Sequence, residues 1–241
     1  MNKMEELNII FEDNHLLIVV KPNNIPVQAD SSKDLDMLTI LKKYLVKKYD
    51  KDGEAFLGLV HRLDRPTGGI MVFAKTSKCA KRLAEQIKNQ TMEKTYLAVV
   101  EGEPKECAGK LVNYLKKNPK TNEVSVVPQA TSDAKRAELD YKVLENKDGK
   151  SLVKIKLITG RGHQIRVQMK HIGCPLVGDM KYNPDAKANE CYLGLWACEL
   201  RLNHPITNEN LTFRVYPDKD IYPWNMFDID KYLNVSIKNL Y

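Results

Sequence analysis

The sequence contains no apolar run close to the roughly 20 residues that a membrane-spanning helix needs. Its longer runs, such as Leu16 to Val20, are a few residues long. No basic-then-apolar leader opens the chain, since Met4-Glu5-Glu6 is acidic, so a cytoplasmic protein with no membrane partner is expected. Cysteine is sparse and odd in number: Cys79, Cys107, Cys174, Cys191 and Cys198 form no CxxC pair. That spacing gives neither a disulfide framework nor a zinc site, and the expectation is reduced, partly buried thiols and no metal. The phosphate-cradling GxxxxGK[ST], the dinucleotide GxGxxG, the GxSxG nucleophile elbow and HExxH are all absent. Nucleotide hydrolysis, dinucleotide-dependent redox chemistry and the common serine and zinc hydrolases lose support accordingly.

What is present is an ordinary globular composition, 43% hydrophobic and 29% charged over 241 residues. The net charge is +7 and the pI about 9.0. Such a balance is permissive for a polyanionic partner, because neutralising phosphates releases condensed counterions. Solvated lysines account for it equally well.

Along the chain, Leu7 to Phe11 and His15 to Lys21 read as two strands joined by Glu12-Asp13-Asn14. Pro22 ends the second. Leu35 to Tyr49 places Leu38, Leu41, Leu45 and Tyr49 at helical spacing, with Lys42, Lys43, Lys47 and Lys48 on a solvated face. Phe56 to Val60 and Gly69 to Lys75 read as buried strands around a loop, His61 to Gly68, punctuated by Pro66 and Gly68-Gly69. Ser77 is a candidate cap for a helix with Ala80, Leu83, Ala84 and Ile87 on one stripe. Lys94 to Glu101 reads as a strand. Residues 103–150 are polar and turn-rich, with strands predicted at Val124 to Val127 and Ala137 to Glu145 and a hairpin turn at Asp148-Gly149. Leu152 to Ile158 alternates as a half-exposed strand, and Gly162 to Ile172 reads as a helix stopped by Gly173 and Pro175. Strands follow at Leu193 to Leu202 and Leu211 to Tyr216. No repeat or linker interrupts the chain. One α+β domain over 1–241 with a mixed, largely antiparallel central sheet is expected.

The candidate chemistry is a carboxylate among arginines. Asp64 lies in the punctuated loop beside Arg62 and Arg65. A second cluster is Thr159-Gly160-Arg161-Gly162-His163-Gln164-Ile165-Arg166. On a helix, His163, Arg166 and Lys170 share a polar face opposite Ile165, Met169 and Ile172, which leaves Arg166 free to aim at something. The helix N-terminus also offers amides to an anion. Spacing alone does not bring Asp64 and Arg166 together.

Taken as an ordered set, these segments resemble the RluA-type family of RNA pseudouridine synthases. The set comprises His61-Arg62-Leu63-Asp64-Arg65-Pro66-Thr67-Gly68-Gly69 continued by Ile70-Met71-Val72-Phe73-Ala74-Lys75, Asp13-Asn14-His15 through Lys21-Pro22, and Lys94-Thr95-Tyr96-Leu97-Ala98. It continues with Thr159 through Arg166-Val167, Gly173-Cys174-Pro175-Leu176-Val177-Gly178-Asp179, Tyr182 and His204-Pro205. The resemblance implies a cofactor-free isomerase that turns uridine into pseudouridine in structured RNA, ribosomal or transfer, acting as a monomer. It implies Asp64 as the catalytic carboxylate, Arg166 as its guanidinium partner, and Tyr96 as the aromatic stacking on the target base. Arg62 is implied to fill the space of the flipped nucleotide, Ile165 to form an apolar floor, and Arg161 to join the substrate-binding set. His61 and His163 are expected to be hydrogen-bonded scaffold residues. Lys75 either lines the RNA path or is solvated.

Two departures stand out. Gly68 occupies a position where the family usually has Ser, and the chain begins at the synthase core, with no separate N-terminal RNA-binding domain expected. A catalytically inactive RNA-binding protein of the same fold is the first rival. A hydrolase of small anionic substrates using Asp64 with His61 or His163 is the second.

Overall fold

The computed structural model describes residues 7–187 and 192–232. In chain order its elements are β1 (Ile9–Glu12), β2 (Leu16–Lys21), α1 (Met37–Lys48), β3 (Gly58–Leu59), β4 (Gly68–Ala74) and α2 (Ser77–Lys88). There follow β5 (Glu93–Glu101), β6 (Ala108–Asn118), β7 (Glu123–Val127), β8 (Lys135–Lys147) and β9 (Lys150–Leu157). The series closes with α3 (Gln164–His171), β10 (Leu195–Asn203), β11 (Asn210–Arg214) and two short 3-10 turns. The class is α+β, and each strand pair with an assigned register is antiparallel. These elements gather into two compact units, residues 1–93 with 197–215, and 94–196 with 216–241.

In the first unit the strands run β1-β2-β4-β10, with β3 beside β4 and β11 beside β10. Every residue of β4 is buried, and Leu16, Leu17, Ile18 and Val19 of β2 are inaccessible to solvent. A continuous apolar run of this kind suits a strand covered on both faces. Gly69 is required there: its φ is +121°, and a Cβ would stand 2.3 Å from the carbonyl oxygen of Ala197. Asp36 caps α1 by accepting from Thr39 N at 3.0 Å. The cap of α2 is Thr76, accepting from Cys79 N, so the hydroxyl at 76 does what was expected of Ser77. Phe56 to Val60 is corrected as well. Only Gly58 and Leu59 pair with β4, and Phe56 is 51% exposed.

In the second unit the strands run β5-β9-β8-β6-β7. A small core of Leu115, Val124, Ala137, Val167 and Tyr182 joins the sheet to α3. Strand β6 lies in the segment that looks merely polar and turn-rich in the sequence. Its outer residues are half-exposed, so its lysines alternate with few buried positions and its period is weak. Helix α3 ends on a left-handed Gly173, with Cys174 N bonded to Met169 O and Gly173 N to Lys170 O. Both bonds of the expected glycine stop are thus made. Cys79, Cys107, Cys174 and Cys198 carry no disulfide, and Cys191 lies outside the described residues. No described helix is long and apolar enough to cross a membrane.

Candidate active site

Asp64 stands in the first unit on the loop that leads into β4. Its own carbonyl accepts from Thr67 N at 3.0 Å, closing a tight turn around Arg65 and Pro66. The side chain is partly exposed while Leu63 before it and Thr67 after it are buried. The turn is therefore anchored at both sides and presents the carboxylate between the anchors.

The turn is also held from beneath. Lys21, the last residue of β2, is completely buried. Its ammonium donates to Pro22 O at 2.8 Å, Ile25 O at 2.7 Å and Arg65 O at 3.0 Å. Asn23 adds a bond from its side-chain nitrogen to Pro66 O at 2.8 Å. Three carbonyl acceptors match the three N–H bonds of a protonated lysine. Burial pushes the Lys21 ammonium down to about 7, opposed by the charge of Asp64. Sequence reasoning placed Lys21 only at a strand end. The signal was the unbroken Lys21-Pro22 after an apolar strand, but its acceptors are backbone groups that leave no trace in side-chain patterns.

Arg65 turns to the loop before α1, with Ser32 Oγ at 3.0 Å and an ion pair to Asp34. Arg62 is exposed and, among the described residues, without an ion pair. His61 accepts at Nε2 from Val72 N at 3.1 Å, which puts its proton on Nδ1 and makes it part of the scaffold. Lys75 is tied down rather than solvated. It pairs with Glu12 at 2.8 Å and donates to Asp13 O. Asp13 itself accepts from His15 N and Leu16 N and meets His204 Nε2 at 2.8 Å. Asp13 and His204, from the Asp-Asn-His and His-Pro segments of the sequence, thus belong to one part-buried network.

The remaining candidates lie in the second unit. Tyr96 is 6% exposed and sits opposite Ile155 in the β5–β9 register. Ile165 and Arg166 are 4% and 6% exposed on α3. Arg166 does not occupy a free polar face. Gln164 through Met169 are all buried, and Arg166 grips Asp179 through Nε to Oδ2 at 2.8 Å and Nη2 to Oδ1 at 2.6 Å. The fork fixes the plane of the guanidinium, and the Tyr182 ring lies 5.0 Å from its central carbon. Helical spacing had no means of showing a carboxylate thirteen residues further on.

The loop before α3 is held by side chains. Gln164 accepts from Thr159 Oγ1 at 2.8 Å and from Arg161 N at 3.0 Å, and donates to Glu138 O at 3.0 Å. His163, in the left-handed region at φ 55°, shares a 2.6 Å bond with Tyr182 Oη, which also accepts from Val124 N. The amide of Arg161, just ahead of the helix N-terminus, is consequently taken. The Arg161 side chain is exposed and donates from Nε to Arg136 O at 3.0 Å.

Comparison with known proteins gives the same family as the sequence motifs. A family model described as RNA pseudouridylate synthase matches residues 15–171. The ribosomal large subunit pseudouridine synthase C of Vibrio vulnificus is 35% identical over 219 residues, 87% of this chain and 66% of that protein. Its namesake in Haemophilus influenzae is 33% identical, over 90% of this chain and 68% of that protein. The chain thus spans about two thirds of the length of these relatives. In fold it resembles the human RNA pseudouridylate synthase domain-containing protein 4, with a TM-score of 0.73 at 23% identity over 88% of this chain and 89% of that one. The turn bearing Asp64, the strand bearing Tyr96 and the loop into α3 all fall within the matched span, and the chain belongs to the RNA pseudouridylate synthase family.

Proposed function

We propose that this chain isomerises uridine to pseudouridine in structured RNA, with Asp64 as the catalytic carboxylate. The reaction breaks the N1–C1′ bond, turns the uracil, forms C5–C1′, and moves a proton from C5 to solvent while N1 regains one. It is redox-neutral within one nucleotide, so no cofactor, metal or group donor is called for. The observation that carries the reading is the clamped turn. Lys21 and Asn23 pin the backbone of the loop that offers a partly exposed carboxylate to an incoming ribose, as nucleophilic or proton-abstracting work demands.

Arg166 is assigned as the guanidinium partner of that carboxylate, Tyr96 to stacking on the target base, and Ile165 to the apolar floor. Arg62 takes the place of the everted nucleotide, and Arg161 contacts the substrate. The printed names of the relatives make large-subunit ribosomal RNA the first substrate to test, before transfer RNA. A cytoplasmic monomer acting as one catalytic domain completes the proposal.

The test is chemical mapping of pseudouridine in ribosomal and transfer RNA incubated with the purified chain, and in RNA from cells with and without its gene. At least one uridine should be modified only when the protein is present, and free uridine nucleotides should be left untouched. RNA that is bound but never isomerised, or turnover of free nucleotides, would overturn the proposal.

A further inference from the structure

Most buried or half-buried lysines of this molecule have acceptors close by. Lys21 has three carbonyls, Lys75 has Glu12, and Lys150 has Glu101 at 3.3 Å. Lys94 differs. Among the described residues its side chain makes no hydrogen bond or ion pair, and no carboxylate offsets its burial, which alone lowers its affinity for the proton. It lies two residues before Tyr96 on β5, so both side chains leave the strand on the same face. The β5–β9 register sets Lys94 opposite Leu157 and Tyr96 opposite Ile155, so the stem runs along an apolar surface.

The head of Lys94 is not sealed in. A Cβ built on Gly160 would stand 3.4 Å from Lys94 Nζ, and Gly160 is exposed. The ammonium therefore rests against the bare backbone of the loop that carries Arg161. Glycine at this position lets another group approach closely. A desolvated cation with a reachable head and no counter-charge is costly in the free protein. An anion arriving from solvent would relieve that cost.

We propose that Lys94 is a phosphate anchor for the substrate, taking a non-bridging oxygen of the RNA backbone close to the nucleotide that Tyr96 receives. Its place on the Tyr96 strand face argues for a phosphate near the reacting nucleotide rather than a distant one, and the adjoining Arg161 keeps the local field positive. The inference rests on the proposed RNA-modifying function. Its test, however, has a binding arm that stands whether or not the chain turns over.

The experiment uses the full chain and compares wild type with Lys94→Met and Lys94→Arg. RNA affinity is measured by fluorescence anisotropy across a salt series, and turnover by steady-state kinetics. Lys94→Met should weaken RNA binding roughly tenfold at moderate salt and flatten the salt dependence of log K by about 0.7–1. KM should rise with it, and kcat should change less than about threefold. Lys94→Arg should recover most of the affinity and the slope. Thermal melting in the absence of RNA should show Lys94→Met at least as stable as wild type, because a buried uncompensated charge has been removed. An unchanged salt slope and affinity in Lys94→Met would overturn the anchor, as would a fall in kcat at constant KM. Lower stability in the methionine variant, with binding lost only in proportion to unfolding, would make Lys94 a packing residue instead. If wild type binds RNA without making pseudouridine, the function fails while the salt-slope difference still decides the anchor.

Discussion

In the first unit the buried cation beside the Asp64 turn, Lys21, is matched by three backbone carbonyls. In the second, Arg166 is matched by a full carboxylate, Asp179. The two arrangements position a functional segment by different physics. Carbonyls are neutral, so removing the cation strands no charge. A buried ion pair has no such tolerance, because removing either partner leaves the other uncompensated. At the Asp64 turn the charge cost thus falls on one residue, whereas around α3 it is distributed over a fork, the Gln164 network and the His163–Tyr182 bond.

The sharpest way to break this comparison is Asp179→Ala. It should cost about 3–5 kcal/mol of unfolding free energy, read by chemical denaturation. A loss below 1 kcal/mol would show that the fork is not what holds Arg166. Lys21→Met comes next, at about 1–3 kcal/mol, since it leaves carbonyls unsatisfied and no charge behind. Its pH signature is separate. The folded chain releases the Lys21 proton near 7 and the unfolded chain near 10.5, so the unfolded state binds more protons between those values. The contribution of this group to stability therefore rises with pH across that window, and Lys21→Met should flatten the rise.

Glu12 supplies the acid counterpart. Burial would raise its carboxyl, but hydrogen bonds from Lys48, Lys75, Tyr49 and Tyr44 outweigh that and hold it at about 2. Its contribution is complete above about 4.5 and disappears as pH falls through 2. Glu12→Gln should cost about 1–2 kcal/mol at neutral pH and soften the acid limb of the stability profile. The smallest effect is expected at the α2 cap, where Thr76→Ala should lose about 1 kcal/mol. Ser77→Ala should lose almost nothing, and the reverse order would move the cap to Ser77.

Legibility in the sequence followed the physics of each element. Strands β2 and β4 were readable because apolar runs buried on both faces need no partner to announce themselves. The turn at Asp64 was readable because proline and glycine punctuate it. Strand β6 was not, since a half-exposed strand with lysines dilutes its own period. Asp179 stood in a quoted motif without a role, for its partner is tertiary and thirteen residues away. Lys21 and Lys94 were invisible for opposite reasons. One is satisfied by backbone, which every sequence has; the other has no acceptor among the described residues.

The most direct measurement is pseudouridine formation by Asp64→Asn, a substitution that keeps the shape, exchanges one acceptor oxygen for a donor amide and removes the charge. RNA should bind with an affinity within about threefold of wild type, while turnover falls by roughly a thousandfold or more. Wild-type yields of pseudouridine from the asparagine variant would contradict the assignment of the reaction to this carboxylate.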